Sequence, residues 1–403
     1  MIKPAKKEDC CGCTACAQRC PKGCITLQAD SEGFSYPFVD TNLCNNCGIC
    51  EKVCPVINQK QSHKPVKVLA AINNNEEIRL KSSSGGIFSL LAEQTLKAGG
   101  VVFGAAFNKN WEAEHIYVEN AEELERLRGS KYVQSNINNS YKEAERFLKD
   151  GREVLFSGTP CQIAALKLFL RKEYRNLTTI DVVCHGAPSP KVWNMYLKEI
   201  TSKLLKDMPD EKIQSVPPIG GTSKSCIEAI SFRSKITGWK KFSFQLKLNF
   251  SNYDGKNTAV FAEGLHKNSY MQAFLSDLIL RPSCYACPAK DGKSDSDITL
   301  ADLWGSHEIC PELDDDQGLS LILIKNEEKT LPKFYYKEIN YCDALKHNPS
   351  IEKSVAEPQK RTKFFKLVDK YGVTKTTEKC LHKSRICILW EKILWNIKNR
   401  ILK

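Results

Sequence analysis

The spacing of the cysteines constrains this chain more than any other feature. Cys10, Cys13, Cys16 and Cys20 precede Pro21 in the pattern C-x2-C-x2-C-x3-C-P, and Cys44, Cys47, Cys50, Cys54 and Pro55 repeat it. In such a run three thiolates wrap the corners of one 4Fe-4S cubane while the proline turns the fourth cysteine towards the other cluster. The expected ligand sets therefore cross: Cys10, Cys13, Cys16 and Cys54 for one cluster, Cys44, Cys47, Cys50 and Cys20 for the second. Tetrahedral zinc, the competing reading, draws on separated cysteine pairs rather than two four-cysteine runs. Cys11 and Cys24 fall outside the pattern and receive no role.

The opening MIKPAKKEDCC has no apolar leader, and no run of about 18 apolar residues occurs to span a bilayer. The expected compartment is the reducing cytoplasm, where 19 cysteines serve as metal ligands rather than disulfides. With 403 residues, 42% of them hydrophobic, the chain is long enough for two or three domains and is neither disordered nor fibrous. Residues 360–403 hold 13 Lys or Arg against Asp369, Glu378 and Glu391, so +10 of the net +12 lies there and only +2 on everything before it. A nearly neutral body argues against nucleic acid as a partner and leaves a local docking surface.

The cysteine-dense segment gives a domain at 1–57, resembling a bacterial-type 2x(4Fe-4S) ferredoxin, followed by a polar linker at 58–66 that ends near Pro65. The body, 67–150 and 151–330, alternates short apolar runs with helical patterns, and a basic, partly helical tail covers 331–403. The fold class expected is α+β or α/β: a small ferredoxin-like head, a mixed α/β body and a helical tail. Residues 82–86 (SSSGG) lead into a helix over 87–98, and a strand starts at Val101. Residues 153–156 read as a buried strand, Ser157, Gly158 and Thr159 as a turn, and Pro160 as the start of a helix to Leu170. A strand at 178–183 and a helix from Pro190 to about Leu205 follow. Residues 209–225 read as a loop, and the alternation over 242–250 predicts a strand paired in a hairpin with 258–262.

Four body cysteines sit at or beside predicted turns: Cys161, Cys184, and the pair Cys284 and Cys287 in RPSCYACP. Cys161 should occupy a helix N-terminus, where backbone N–H groups lower a thiol's pKa. Spacing alone leaves Cys161 and Cys184 open between buried structural thiols and ligands.

These segments resemble the family formed by the beta subunits of coenzyme F420 hydrogenases and dehydrogenases, F420 being a 5-deazaflavin hydride carrier. The resemblance rests on Ser83-Ser84-Gly85-Gly86, on 129–135 (GSKYVQS), on 157–162 (SGTPCQ), on Cys184-His185-Gly186, on Cys284 with Cys287, and on 296–305 (SDITLADLWG). It implies bound FAD and, with Cys161, Cys184, Cys284 and Cys287 as ligands, a third 4Fe-4S cluster. The implied flavin contacts are Ser83, Ser84, Gly85 and Gly86 at a helix N-terminus suited to a pyrophosphate, with Lys131, Tyr132, Gly158 and Thr159. A Ser-rich helix cap is the plain alternative for 82–86, and solvated loop residues for Lys131 and Tyr132. Lys131 and His185 are the only candidates for catalysis; His185 either positions a proton or caps a turn. Asp297 and Asp302 are expected to orient the loop around Cys287 through backbone hydrogen bonds. No role follows for Cys226, Cys310, Cys342, Cys380 or Cys387.

Ile386, Leu389, Trp390, Ile393, Leu394, Ile397 and Ile401 fall at helical spacing among basic residues, an amphipathic stretch over 386–403 that would lie on an anionic membrane surface, dock on a partner, or pack back on the body. The function expected is an iron-sulfur flavoprotein oxidoreductase in which ferredoxin-type clusters and a hydride-exchanging FAD serve an F420-like or other small substrate. The alternative is a non-catalytic electron-transfer or docking subunit of a larger redox complex. Its partner is a redox protein or a hydride-carrying small molecule.

Overall fold

Short apolar runs buried on both sides build the centre of the molecule. The computed structural model describes residues 1–206, 227–252, 255–329 and 331–381; the loop at 209–225, Cys226, Cys387 and the amphipathic stretch at 386–403 lie outside them. The strands are β1 (Ile25–Ala29), β2 (Ser35–Val39), β3 (Lys67–Ile72), β4 (Val101–Phe107), β5 (Ala113–Val118), β6 (Val154–Gly158), β7 (Leu177–Val182), β8 (Ile227–Ser234), β9 (Ser243–Asn252), β10 (Gly255–Gly264), β11 (Ile298–Asp302), β12 (Ser320–Ile324) and β13 (Tyr335–Glu338).

Eight of them form one mixed sheet in the order β13-β3-β12-β11-β7-β6-β4-β5. Neighbours from β11 through β7 and β6 to β4 are parallel, and the remaining pairs are antiparallel. The parallel core follows from the strand texture: Val154, Leu155 and Phe156 are consecutively apolar and all buried, as a strand covered on both faces requires. Alternation then sorts the faces. Phe103 and Phe156 pack with Phe147 and Phe169 of the helices Ser140–Lys149 and Pro160–Leu170. Val102 and Leu155 pack with Ile87 and Leu91 of the helix Ile87–Lys97 on the other side. The edge strand β13 is exposed throughout, and its Lys337 and Glu338 blunt an edge that would otherwise pair with a foreign strand.

A second, three-stranded antiparallel sheet, β10-β9-β8, includes the predicted hairpin. Its Phe244, Leu246 and Leu248 point at Trp193 and Tyr196 of the helix Pro190–Lys206 and at Tyr270. Trp193 is fully buried and donates its indole N–H to Trp111 O at 2.7 Å. Truncating an aromatic in such a setting costs about 3–5 kcal/mol.

Residues 331–381, read above as the start of a tail, are part of the body. β13 pairs with β3, and the helix Arg361–Leu381 buries Phe364, Val368, Val373 and Cys380 against the aromatic core. Basic composition says what the outer face carries, whereas burial is set by the apolar stripe beneath it. The linker segment also lies on the body: Lys64 pairs with Asp291 at 2.6 Å and Glu352 at 2.5 Å.

The head, with its hairpin of β1 and β2, is seated on the same core. Cys11, Cys13, Ala15 and Val53 pack with Tyr141, Phe156 and Phe169, and Arg19 pairs with Glu145 at 2.9 Å. Among the described residues no helix is long and apolar enough to cross a membrane.

Candidate redox site

In the head the two cysteine runs interleave. Burial pushes the Cys16 thiol up to about 12, with Cys10 and Cys54 adding to the rise. Burial likewise raises Cys54, and Cys10 and Cys50 add to it. Cys54, the last cysteine of the second run, thus sits electrically beside the first. At the other end Cys20 Sγ lies 3.3 Å from Cys24 Sγ, and Cys24 also reaches Cys44. Cys47 is exposed. The loop between Cys11 and Cys13 turns at Gly12, whose φ is +72° and where a Cβ would stand 2.6 Å from both Arg281 Nη1 and Gln134 Nε2. Only glycine lets the body approach the head so closely.

The four body cysteines converge from separate elements. Cys161 is the second residue of the helix that follows β6, Cys184 lies just past β7, and Cys284 and Cys287 flank the end of the single turn Pro282–Ala286. Burial holds the Cys184 thiol well above its ordinary range, and the charges of Cys284, Cys161 and Cys287 add to that. Burial pushes Cys284 up to about 12, again with Cys161 and Cys287 contributing, against the Ala187 N–H that donates to its Sγ at 3.3 Å. The expected lowering of Cys161 is not found. Its hydrogen bond with Cys11 and its burial raise the thiol well above the usual range and overcome the helix N-terminus. Cys11, without a role in the sequence pattern, therefore has a cysteine of each group, Cys13 and Cys161, among the neighbours that shift its thiol.

An all-thiol set, partly buried and drawn from three segments, is the donor chemistry of a cubane cluster.

The remaining candidates line the same edge of the sheet. β3, β11, β7, β6 and β4 run in one direction, so their C-terminal ends lie together, and the register Asp302 to Ser320 to Ala71 marks that edge. Open α/β sheets bind ligands there. Residues 82–86 cross it: Gly85 donates its N–H to Ser320 Oγ at 2.9 Å, and a Cβ on Gly85 would stand 2.5 Å from Ala71 O. None of the serines caps the next helix. Ser82 Oγ donates to Ile78 O, Ser84 Oγ donates to Leu319 O, and Ser83 Oγ accepts from Ser130. The helix Ile87–Lys97 opens instead from Gly86 at φ +84°, with no side-chain acceptor on its first N–H groups, which leaves the amides and the helix dipole facing an incoming anion.

Lys131 is half-buried, not a solvated loop residue; its Nζ donates to Arg126 O and Arg128 O, and burial pulls its pKa down to about 7. Tyr132 is packed among Phe232 and Phe274, with its hydroxyl 3.2 Å from Arg233 Nη1. Gly158 ends β6, and the Thr159 N–H donates to Gln162 Oε1 at 2.8 Å while its hydroxyl lies 3.3 Å from Cys161 Sγ.

Of three further side chains, the two carboxylates are occupied differently from expectation. His185 Nε2 is 2.6 Å from Asp277 Oδ1. Asp297 does not reach the Cys287 loop: its Oδ2 accepts the Thr179 N–H and hydroxyl at 2.7 and 2.6 Å, because it immediately precedes β11, which pairs with β7. Asp302 binds Arg233 at 2.7 Å and Trp239 Nε1 at 2.9 Å. The Cys287 loop is held by Ser354, whose Oγ accepts the Cys287 N–H at 3.0 Å. Sequence reading missed two buried cations. Lys290 donates to Cys184 O at 2.7 Å and Ser350 O at 2.6 Å; Arg281 is 1% exposed and reaches Cys10. Their place beside CYAC was the available signal.

Comparison with known proteins gives three matches along the chain: a 4Fe-4S dicluster domain at residues 9–58, the N-terminal model of the coenzyme F420 hydrogenase/dehydrogenase beta subunit at 68–142, and the C-terminal model of the same protein at 151–331. Among curated relatives, one component of the F(420)H(2) dehydrogenase of Methanosarcina mazei is 27% identical over 168 residues, 40% of this chain and 48% of that protein. The coenzyme F420-dependent sulfite reductase of Methanocaldococcus jannaschii is 24% identical over 186 residues, 44% of this chain and 28% of the relative. The chain thus spans about half or less of the length of these relatives. A solved structure, the F420-reducing [NiFe] hydrogenase complex from Methanosarcina barkeri, superposes with a TM-score of 0.42 at 18% identity, over 74% of this chain and 97% of that one. Both halves of one beta subunit lie in order behind a dicluster head, and the chain accordingly belongs to the family of coenzyme F420 hydrogenase/dehydrogenase beta subunits, with an N-terminal 4Fe-4S domain.

Proposed function

We propose that this chain is an iron-sulfur flavoprotein oxidoreductase that passes electrons between ferredoxin-type clusters and a hydride-exchanging FAD, serving a deazaflavin of the F420 type or another small redox substrate. The observation that carries the reading is the convergence of Cys161, Cys184, Cys284 and Cys287 on the sheet edge that also bears residues 82–86, with Cys161 joined through Cys11 to Cys13 of the head. A flavin exchanges two electrons with a hydride donor and single electrons with clusters, which each carry one.

The residues divide the work. Cys10, Cys13, Cys16 and Cys54 would hold one cluster of the head, Cys44, Cys47, Cys50 and Cys20 the other, and the four body cysteines a third. Ser83, Ser84, Gly85 and Gly86 would seat the flavin pyrophosphate on the uncapped helix N-terminus. Lys131, with its pKa pulled down to about 7 by burial, would place a donor near the flavin ring, with Tyr132, Gly158 and Thr159 around it. The exposed Cys47 end of the head, flanked by exposed Leu43, is the side open to a redox partner.

A second reading draws on the relative that is one component of an F(420)H(2) dehydrogenase: a non-catalytic electron-transfer subunit of a larger complex. Iron, acid-labile sulfide and flavin per chain after anaerobic purification separate the two. About 12 iron atoms with one FAD support the reductase; about 8 iron atoms and no flavin after reconstitution overturn it in favour of the transfer role.

A further inference from the structure

Among the described residues, no acidic side chain pairs with the charge of Arg281. The residue is 1% exposed, and an unpaired ion is not left in such a place without compensation. Nε donates to Cys10 O at 2.7 Å, Nη2 to Ser35 O at 2.9 Å and Nη1 to Gln134 Oε1 at 3.1 Å, while Nη2 also approaches Cys10 Sγ at 3.5 Å. The group lies 4.5 Å from the centre of the Tyr36 ring. Among the described residues it has no carboxylate partner. The nearby carboxylates of the head are committed elsewhere, Asp30 to Lys7 at 2.6 Å and Glu32 to Arg361 at 2.6 Å. On its other side the Arg281 carbonyl accepts the Cys284 N–H at 2.9 Å, so the residue belongs to the turn that presents two of the body cysteines.

We propose that Arg281 is the counter-ion and positioning residue shared by the Cys10 cluster and the four-cysteine set of the body, its charge balanced by their thiolates. This rests on the cluster assignments proposed above. A 4Fe-4S cluster on four thiolates is anionic and gains one further negative charge on reduction. A buried cation at hydrogen-bond range stabilises the more negative state, so Arg281 raises the reduction potential of the cluster it faces. Arginine suits the place because its planar fork serves several acceptors at once and stays charged when buried. Gln134, whose Nε2 donates to Cys11 O at 3.2 Å, completes the fork's setting.

The test is an EPR-monitored redox titration of the anaerobically reconstituted full chain, as wild type and as Arg281→Gln, Arg281→Lys and Gln134→Glu, with iron counted in each. Gln134→Glu sets a carboxylate against Nη1 and cancels the charge while leaving Arg281 in place, so it serves should Arg281→Gln fail to fold. The expected result is a more negative midpoint for the Cys10 cluster and for the body cluster in Arg281→Gln and in Gln134→Glu, with Arg281→Lys close to wild type and iron per chain unchanged. Unshifted midpoints in the neutralising variants that retain their iron overturn the proposal. A wild-type count near 8 iron atoms would instead remove the third cluster, while the Cys10 cluster's midpoint still decides the role of Arg281.

Discussion

Ser83 and Ser130 are joined by two contacts: the Ser130 N–H donates to Ser83 Oγ at 2.8 Å, and the two hydroxyls lie 3.0 Å apart. The pair ties the SSGG loop to the segment carrying Lys131 and Tyr132, so the two stretches proposed to hold the flavin share one anchor. In Ser83→Ala the Ser130 groups lose their partner, at a cost of about 1–2 kcal/mol to loop order. The expected outcome is FAD binding weakened roughly tenfold, since 1.4 kcal/mol is a factor of ten. It is read by titrating FAD into flavin-free chain and following fluorescence. Unaltered affinity would take residues 82–86 out of the flavin site.

The proposed crossing of the cysteine runs makes Cys54 and Cys20 diagnostic. Cys54 lies with Cys10 and Cys16, so Cys54→Ala should remove the cluster that faces the body and spare the outer one. Cys20→Ala should do the reverse. Each variant is expected to retain about 8 of about 12 iron atoms, and the surviving EPR signals should differ between them. Identical spectra from the two would show that the runs do not cross.

Asp297 is a structural acid. Replacing it with alanine strips acceptors from the Thr179 N–H, the Thr179 hydroxyl and Asn326 Nδ2, all hydrogen-bonded to it at 2.6–2.9 Å. Buried donors left unmade cost about 1–3 kcal/mol each, so a loss of roughly 3 kcal/mol is expected after relaxation. Iron per chain should stay unchanged, because the hydrogen bonds of Asp297 go to Thr179, Lys325 and Asn326 and to no cysteine loop among the described residues. Denaturant unfolding together with an iron assay checks both halves; iron lost at intact stability would return Asp297 to the cluster.

Much of this was legible in the chain itself, for a physical reason. Cluster ligation fixes spacing, so the eight cysteines of the head stand out, and burial on two faces leaves runs such as 153–156. Pro160 and the alternation over 242–250 likewise place their elements within a residue or two of the observed bounds. Contacts made across the fold leave no local pattern. Nothing near Asp297 in sequence points to Thr179, and nothing near Arg281 points to Cys10, far upstream in the head. The thiol of Cys161 shows the same limit: its place at a helix start was readable, but the neighbour Cys11 that raises it was not. Charge misled in a different way, since the basic segment at 360–381 hides the apolar face that Phe364 and Val368 bury.

His115 gives the body a measurable pH response. It is 3% exposed on β5, between Ser157 O, 3.1 Å from Nε2, and the Ser135 hydroxyl, 3.0 Å from Nδ1. A carbonyl on one side and a hydroxyl on the other favour the neutral ring with its proton on Nε2. Burial lowers its pKa to about 4, the Ser157 carbonyl opposes that, and Lys131 adds to the lowering. Because the folded value lies below the unfolded one of 6.5, the contribution of His115 is complete above pH 6.5 and is lost as pH falls, when the unfolded chain takes up a proton that the folded chain refuses. Each unit is worth about 1.4 kcal/mol, so from pH 7 to 5.5 the wild type should lose about that much through this residue. His115→Gln keeps an amide to donate to Ser157 O but cannot titrate, and its stability should fall less over the same interval. Urea midpoints measured anaerobically at pH 7, 6.5, 6 and 5.5 decide it: parallel curves for the two chains would mean that His115 is not held neutral by the fold.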